Sequence, residues 1–305
     1  MINSPCPLCG DKTYSVVYEQ LPACKEASLV KCGRCGLIYT LLREVVNTDN
    51  LYNDEVYQVV ENRGSVFDRI IVREYSNVLR QVTRLTGRTG SLMDFGAGKG
   101  QFGNLAQHSG WEVKCVETAP ERAAYAKKVY GLEVSTAFFN GGAIFNRLFN
   151  VITLFHVLEH LPHPRPLLEE LIKGNLEKDG IMVIEVPNIG SWQSSIAGSK
   201  WLHLDVPRHI NHFTPQRLVA FTEELGLVCR RKSFFSVHLG VLGMLDSLLK
   251  LFGYRKNIIY ELKNNKNALL LLRIAVLLPF AYVMEGLAAL AGKGGVIRLY
   301  LQRKS

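Results

Sequence analysis

The N-terminus has no basic start followed by an apolar run; its first six residues read Met-Ile-Asn-Ser-Pro-Cys. A secretory signal is therefore not indicated, and we expect a cytoplasmic protein. In a reducing compartment the seven cysteines are expected to be thiols or metal ligands rather than disulfides. Aromatic and charged contents of 10% and 21% are ordinary for a folded chain, and 305 residues suit one large domain with appendages.

Acidic residues are scarce in the last quarter of the chain. Residues 227–305 contain 13 Lys or Arg against three Asp or Glu, and the net charge of the whole chain is +9. A basic and apolar region predicts an anionic partner, either membrane headgroups or nucleic acid. Residues 1–45 contain only five Lys or Arg, so the N-terminal segment does not favour RNA as the partner.

Two Cys-x-x-Cys-Gly sequences, which contain Cys6, Cys9, Cys32 and Cys35, are separated by 22 residues. Four thiolates at this spacing suit a tetrahedral zinc ion with no open coordination position. The sequence therefore predicts a zinc ribbon over residues 1–45, with a structural or recognition role.

Residues 92–100 read Leu-Met-Asp-Phe-Gly-Ala-Gly-Lys-Gly, an apolar strand that ends in Asp94 and a glycine-rich turn. Glycine lets a ligand approach the backbone closely, and a helix that follows such a turn makes a nucleotide-type binding edge. A second predicted strand ends in Glu117, where a carboxylate can hold ribose hydroxyls. The spacing Gly-x-Gly-x-Gly over Gly96–Gly100 fits a dinucleotide fingerprint less well.

Strands and helices alternate from residue 91 to residue 236, which predicts a parallel sheet with helices on both faces. The run D-F-G-A-G-K-G, taken with Glu117, resembles motif I and the acidic-loop residue of class I S-adenosylmethionine (SAM)-dependent methyltransferases. The later run L-E-H-L-P-H-P resembles the sequence after the fourth strand in the family that contains the polyprenyl-quinol O-methyltransferases.

The resemblance implies a Rossmann-like α/β fold with a seven-stranded sheet and SAM as the cofactor. The methyltransferase domain would occupy residues 46–236 and be completed by residues 296–305. The implied cofactor-binding residues are Asp94, Phe95, Gly96, Ala97 and Gly98 for the methionine portion, Glu117 for the ribose, Phe138 for the adenine, and His156 as a wall of the pocket.

The sequence His156-Val-Leu-Glu159-His160 follows the fourth predicted strand. On a helix these three polar side chains would share one face and could bind a second divalent metal ion. Small-RNA methyltransferases have a related E-x-x-E-H metal motif, with glutamate where this chain has His156. His-x-x-Glu-His is also a protease signature, but three prolines between residues 162 and 166 oppose the long helix that such a site needs.

Residues 201–213, which we call the acceptor loop, contain three histidines, an arginine and an aspartate. The loop follows a strand's C-terminal end, where open α/β sheets bind ligands. It resembles the substrate-side loop of zinc-ribbon methyltransferases associated with cell-surface saccharide assembly. We expect His209 to act as the general base, with His212 as the next candidate and His156 as the third.

Residues 237–295 form an apolar insertion between the last two predicted strands. Its segment Ala268–Ala291 is 24 residues long, enough to span a bilayer of ~30 Å hydrocarbon thickness, but it contains Arg273, Pro279 and Glu285. Both ends must return to one sheet, so a single crossing is excluded. We predict two short helices, broken at the proline, that lie in the membrane interface; the alternative is a helical subdomain packed on the core or on a second subunit.

The function predicted is SAM-dependent O-methylation of a hydroxyl on a saccharide or lipid-linked small molecule, on the inner face of the cytoplasmic membrane. A quinol is the second acceptor class. The competing classes are an RNA methyltransferase that uses the ribbon and the basic tail, and a SAM-binding scaffold without catalysis.

Overall fold

The computed structural model describes residues 4–42, 64–137, 144–256, 258–264 and 267–304. Its strands are Tyr14–Tyr18 (β1), Ala27–Cys32 (β2), Ile38–Leu42 (β3), Ser91–Phe95 (β4), Glu112–Val116 (β5), Glu133–Ser135 (β6), Phe149–Phe155 (β7), Leu176–Pro187 (β8), Asn211–His212 (β9), Leu227–Ser233 (β10) and Val296–Arg303 (β11). Its α-helices are Val66–Thr86 (α1), Gln101–His108 (α2), Pro120–Tyr130 (α3), Pro164–Gly174 (α4), Trp192–Ala197 (α5), Pro215–Glu224 (α6), Leu242–Leu251 (α7), Ile258–Asn264 (α8) and Ala268–Leu290 (α9).

The central sheet has seven strands in the order β10-β11-β8-β7-β4-β5-β6. Strands β4 to β8 are parallel, and β11 runs antiparallel between β8 and β10. Every residue of β4 is buried, as expected for a parallel strand covered by helices on both faces. The prediction of a Rossmann-like sheet with a helical insertion before the last strand is confirmed.

The cysteine-containing segment forms a second, four-stranded sheet in the order β1-β2-β3-β9. Its fourth strand comes from the acceptor loop, since Ile38 pairs with His212 and Tyr39 pairs with Asn211. Buried side chains of the segment, among them Leu37 and Tyr39, belong to the same apolar cluster as Met93 of β4. The N-terminal segment and the central sheet therefore share one core.

The insertion packs against the central fold through α7. Residues Met244, Leu245 and Leu249 of α7 are buried in a cluster that also contains Ala281 of α9. The side chain of Glu285, also on α9, faces the protein, where it accepts hydrogen bonds from the Gly295 N–H at 2.7 Å and from Gln193 Nε2 at 3.1 Å. One face of the insertion is thus fixed to the fold by apolar contacts and by a buried carboxylate.

Helix α9 continues through Pro279, so the predicted break at this residue is wrong. Proline removes one backbone donor, but leucine and alanine are good helix formers and continue the helix on both sides. Among the described helices, α9 is the one with the length and composition to cross a membrane, and most of its residues are exposed. The face of α9 that points away from Glu285 and the central fold is therefore apolar and exposed.

A buried ion pair joins the strands beside the insertion. Arg298 of β11 contacts the carboxylate of Glu185 on β8, and their residue exposures are 6% and 2%. Removal of one member of a buried ion pair costs about 3–5 kcal/mol.

We therefore expect Arg298→Ala to lower the free energy of unfolding by about 3–5 kcal/mol. Arg231→Ala, an exposed arginine on β10, should change it by less than about 1 kcal/mol and serves as the matched control. Urea denaturation measures both values. Equal effects of the two substitutions would contradict the assignment of this ion pair to the core.

Candidate active site

A glycine-rich turn connects β4 to α2. Gly96, Gly98 and Gly100 all have positive φ values, of 77°, 55° and 78°, which other L-residues rarely adopt. A Cβ atom on Gly96 would also lie 2.5 Å from Val157 Cγ2. The turn is held against the end of β5, because the N–H groups of Gly96 and Ala97 both donate to the Val116 carbonyl, at 2.8 and 3.0 Å.

Asp94, the last polar residue of β4, lies directly below this turn. Its side chain is 2% exposed, and its Oδ1 accepts a hydrogen bond from Thr153 Oγ1 at 2.7 Å. Burial, reinforced by the charge of Glu117 and opposed by the Thr153 hydrogen bond, raises the pKa of Asp94 to about 7. This carboxyl group will ionise more readily when a cation lies beside it.

Glu117 follows β5 and turns back toward the same edge. Its Oε2 accepts from the Gly98 N–H at 2.7 Å, and its Oε1 accepts from the Ala119 N–H at 2.8 Å. These bonds fix the carboxylate against the glycine turn. Each oxygen has a second lone pair, so the group can also accept hydrogen bonds from two hydroxyls.

A cavity of about 580 Å³ opens in front of the glycine turn. Its lining includes Asp94, Gly96, Ala97 and Gly98 together with His156, His160, Arg208 and His209. The insertion closes the cavity with Leu239, Leu242 and Ile259. Phe95 is not among the lining residues, because its side chain belongs to the apolar core, and Phe138 lies outside the described residues.

His156 occupies the end of β7 between two carboxylates. Its Nδ1 lies 3.0 Å from Glu159 Oε1 and its Nε2 lies 3.1 Å from Glu185 Oε1. Burial acts to lower the pKa of His156, but the hydrogen bonds to the two glutamates outweigh it and raise the pKa to about 10. Because an ionised carboxylate only accepts, both ring nitrogens donate and the imidazole is protonated. This arrangement does not fit the expectation that His156 acts as a base.

His209 and His212 lie on the acceptor loop but face different surroundings. His209 Nδ1 lies 2.9 Å from the His203 carbonyl oxygen and must donate to it, so its Nε2 carries the lone pair. Burial lowers the pKa of His209, so its imidazole is neutral at neutral pH. His212 Nε2 lies 3.0 Å from Thr40 Oγ1, and this side chain does not line the cavity. Of these two histidines on the acceptor loop, only His209 lines the cavity.

The side chains that could hold a second cation differ from the predicted set. Glu159, His160 and His209 bring one ligand atom each within 4.8 Å of one another. The predicted His156/Glu159/His160 set does not form, because the helix there is a single turn, Leu158–His160, and His156 precedes it with a left-handed φ of 55°. His209 joins this set of possible metal ligands only through the folding of the acceptor loop. In the sequence, the one signal for its role was the high density of histidines between residues 203 and 212.

The four predicted zinc ligands lie together. Cys6 and Cys35 have their Sγ atoms 3.5 Å apart, and those of Cys9 and Cys32 are 3.6 Å apart. A tetrahedral site with Zn–S bonds of ~2.3 Å requires sulfur separations of roughly 3.8 Å, so the donor set fits zinc. The remaining three cysteines, Cys24, Cys115 and Cys229, lie outside this cluster.

Comparison with known proteins identifies the fold. The profile of a methyltransferase-domain family matches residues 67–232, more than half of the chain. A SAM-dependent methyltransferase from Archaeoglobus fulgidus superposes with a TM-score of 0.50 at 17% identity, covering 77% of this chain and 94% of that one. The plantazolicin methyltransferase BpumL, solved with a desmethylPZN analog and SAH, has a TM-score of 0.50 at 14% identity, with 84% and 94% covered. No functionally curated protein matches the sequence.

The chain therefore belongs to this methyltransferase-domain family, and it is a class I SAM-dependent methyltransferase. The strand order β10-β11-β8-β7-β4-β5-β6 places Asp94, Glu117 and the glycine turn at the carboxyl edge of the sheet, where open α/β sheets bind ligands.

We expect SAM binding to depend on pH through Asp94, because ionisation of a carboxyl with a pKa of about 7 is favoured by the cationic cofactor. Below pH 7 binding must release a proton, so the SAM dissociation constant should rise about tenfold between pH 8 and pH 6. Isothermal titration calorimetry in two buffers of different ionisation enthalpy measures both the affinity and the proton released.

Asp94→Asn is the variant that tests this assignment. It should bind SAM more weakly and without the pH dependence, whereas Asp179→Asn, a change at an exposed carboxylate on β8 away from the cavity, should retain the dependence. Wild-type affinity in Asp94→Asn would remove Asp94 from the cofactor site.

Proposed function

We propose that the protein transfers the SAM methyl group to a hydroxyl oxygen on a saccharide or lipid-linked small molecule, on the cytoplasmic side of the membrane. The observation that carries this proposal is the position of His209, which lines the same cavity as the glycine turn and whose Nδ1 donates to the His203 carbonyl, so that the neutral ring keeps its lone pair on Nε2. Such a group can accept the proton that a hydroxyl loses as it is methylated. Methyl transfer to an amine or thiol has less need of a fixed base.

Each side chain of the site has a separate task in this reaction. Bound SAM supplies an electrophilic methyl group on a sulfonium. Asp94 and the glycine turn hold the methionine portion, and Glu117 accepts hydrogen bonds from the ribose hydroxyls. His209 Nε2 would take the proton that the acceptor hydroxyl loses, while the methyl–sulfur bond of the donor would break and the demethylated thioether, SAH, would leave. His156 donates to Glu159 and Glu185 and so fixes these two carboxylates beside the site.

A metal-assisted variant of this chemistry is the second candidate. Glu159 is fully buried, and its Oε2 has no hydrogen-bond partner among the described residues. An unpartnered buried carboxylate oxygen beside two imidazoles favours a divalent cation at Glu159, His160 and His209. A cation there would lower the pKa of the acceptor hydroxyl, and His209 would be its ligand instead of a base.

We expect purified protein with radiolabelled SAM to label a lipid-extractable or saccharide fraction, but not RNA. His209→Gln should reduce the rate about 10²–10⁴-fold with unchanged SAM affinity, because loss of a general base has that effect. His108→Gln, an exposed histidine on α2, is the control and should be fully active. Label found only in quinols or only in RNA would show that the acceptor belongs to that class instead. SAM binding without label in any fraction would indicate a SAM-binding scaffold without catalysis.

Metal content separates the two routes of proton removal. One zinc per chain is expected from the cysteine cluster if His209 is the base. Two ions in the wild type and one in Glu159→Gln would favour the metal-assisted route instead.

We also propose that α9 lies in the membrane interface. Leu272, Val276, Phe280, Val283 and Leu287 follow one another at helical spacing and are 62%, 55%, 62%, 60% and 53% exposed. Exposed basic residues flank this stripe: Arg255, Lys256, Arg273 and Lys293. Since β10 and β11 hold both ends of the insertion in one sheet, the helix can lie on a membrane but cannot cross it alone.

The protein should float with liposomes that contain anionic lipid, and less with neutral ones. Phe280→Asp combined with Val283→Asp should abolish flotation, because both charges would enter the apolar stripe. Val16→Asp combined with Leu148→Asp makes the same change at exposed apolar residues elsewhere and should leave flotation unchanged. Dimers that dissociate in the α9 variant, without lipid binding by the wild type, would assign the stripe to a second subunit.

We further assign the four-cysteine cluster to structural zinc, since the four sulfur atoms leave no coordination position for a substrate. A four-thiolate metal site and a SAM-dependent reaction both favour the cytoplasm.

A further inference from the structure

We infer that the cysteine ribbon is the positioning element of the acceptor loop, and that Thr40 on β3 is the residue through which it fixes His209. The ribbon would thus set the acceptor side of the active site without contacting substrate. The significance of His209 rests on the proposed function, but the contacts and the test do not.

Backbone pairing provides the first link. Strand β9 consists of Asn211 and His212 only, and its partner is β3 of the ribbon. The Thr40 N–H extends the pairing by donating to the Ile210 carbonyl at 2.8 Å. A two-residue strand has no stability of its own, so the loop takes this conformation only while β3 is in place.

The Thr40 side chain provides the second link. Its Oγ1 donates to the His209 carbonyl at 2.7 Å and, 3.0 Å from His212 Nε2, accepts from that ring. Thr40 is 8% exposed, so water does not substitute readily for either bond. The buried hydroxyl of Thr40 thus fixes both the backbone of His209 and the imidazole ring of His212. Thr40 does not line the cavity, which makes it a positioning residue.

Apolar packing provides the third link. Trp201, Leu204 and Val206 of the acceptor loop form one buried cluster with Leu21 and Leu29 of the ribbon. On its other side the loop is tied to the turn after β7, since the Ile210 N–H donates to the Glu159 carbonyl at 2.7 Å. The loop therefore lies between the ribbon and the end of the central sheet.

The metal cluster controls this arrangement through the β2–β3 connection. Cys32 is the last residue of β2, and Cys35 lies three positions before Ile38, the first residue of β3. The Cys32 N–H donates to the Leu37 carbonyl at 2.9 Å, which closes the connecting turn over the sulfur atoms. Metal binding to such a turn contributes folding free energy to the hairpin. Loss of the metal should therefore loosen β3 and, with it, the acceptor loop.

Hydrogen–deuterium exchange of the full, metal-loaded chain tests the role of Thr40. In Thr40→Val, amides of residues 201–213 should exchange about tenfold faster, because both hydroxyl bonds are lost. Residues 92–100 should retain wild-type protection, and SAH affinity should stay within about twofold. Thr40→Ser keeps the hydroxyl and should restore wild-type exchange.

Ser28→Ala is the matched control, since it removes a buried hydroxyl on β2 that donates to the Glu19 carbonyl within the ribbon. It should leave exchange at residues 201–213 unchanged. The thiolate absorption of cobalt-loaded protein verifies that each variant still binds its metal. Unchanged loop exchange in Thr40→Val, or faster exchange throughout the chain, would overturn the inference.

Removal of the metal is the second arm. After chelation, residues 27–42 and 201–213 should lose protection together, while residues 92–100 keep theirs. A fully protected acceptor loop beside a freely exchanging ribbon would contradict the coupling. Failure of methyl transfer to a hydroxyl, with coupled exchange intact, would instead count against the proposed function alone.

Discussion

Parallel strands bring their carboxyl ends to a single edge of the sheet, and the active site depends on this constraint. Strands β4, β5 and β7 lie side by side, so Asp94, Glu117 and His156, far apart in the chain, converge there. Gly96 lets the turn after β4 pack closely on Val157, because a side chain at this position would collide with it. Cofactor binding is therefore a property of the sheet order as much as of any one motif.

Buried charge is the second organising feature of the site. Glu159 and Glu185 both lie at or below 2% exposure, and His156 contacts each of them while Arg298 contacts Glu185. These contacts compensate charges that would otherwise be costly to bury. They also keep His156 protonated, whereas burial keeps His209 neutral. Thus the network that stabilises β8 and β11 also removes His156 as a candidate base.

Local patterns in the sequence were sufficient to predict the central sheet, the glycine turn and the grouping of the four cysteines. Each depends on short-range spacing or on strands whose apolar character is evident without tertiary context. The state of His156 was not predictable, because Glu185 approaches it from a strand 29 residues away. Likewise, pairing of β9 with β3 joins residues more than 160 positions apart, and two residues give no strand signal. The continuous α9 showed that flanking helix formers can outweigh one proline.

The most direct test of this account is a crystal structure of the zinc-loaded protein with SAH. We predict the methionine portion on the Asp94–Gly98 turn, the ribose hydroxyls on Glu117, and the sulfur directed across the cavity toward His209. A SAH molecule bound elsewhere, or one whose sulfur faces away from His209, would contradict the account.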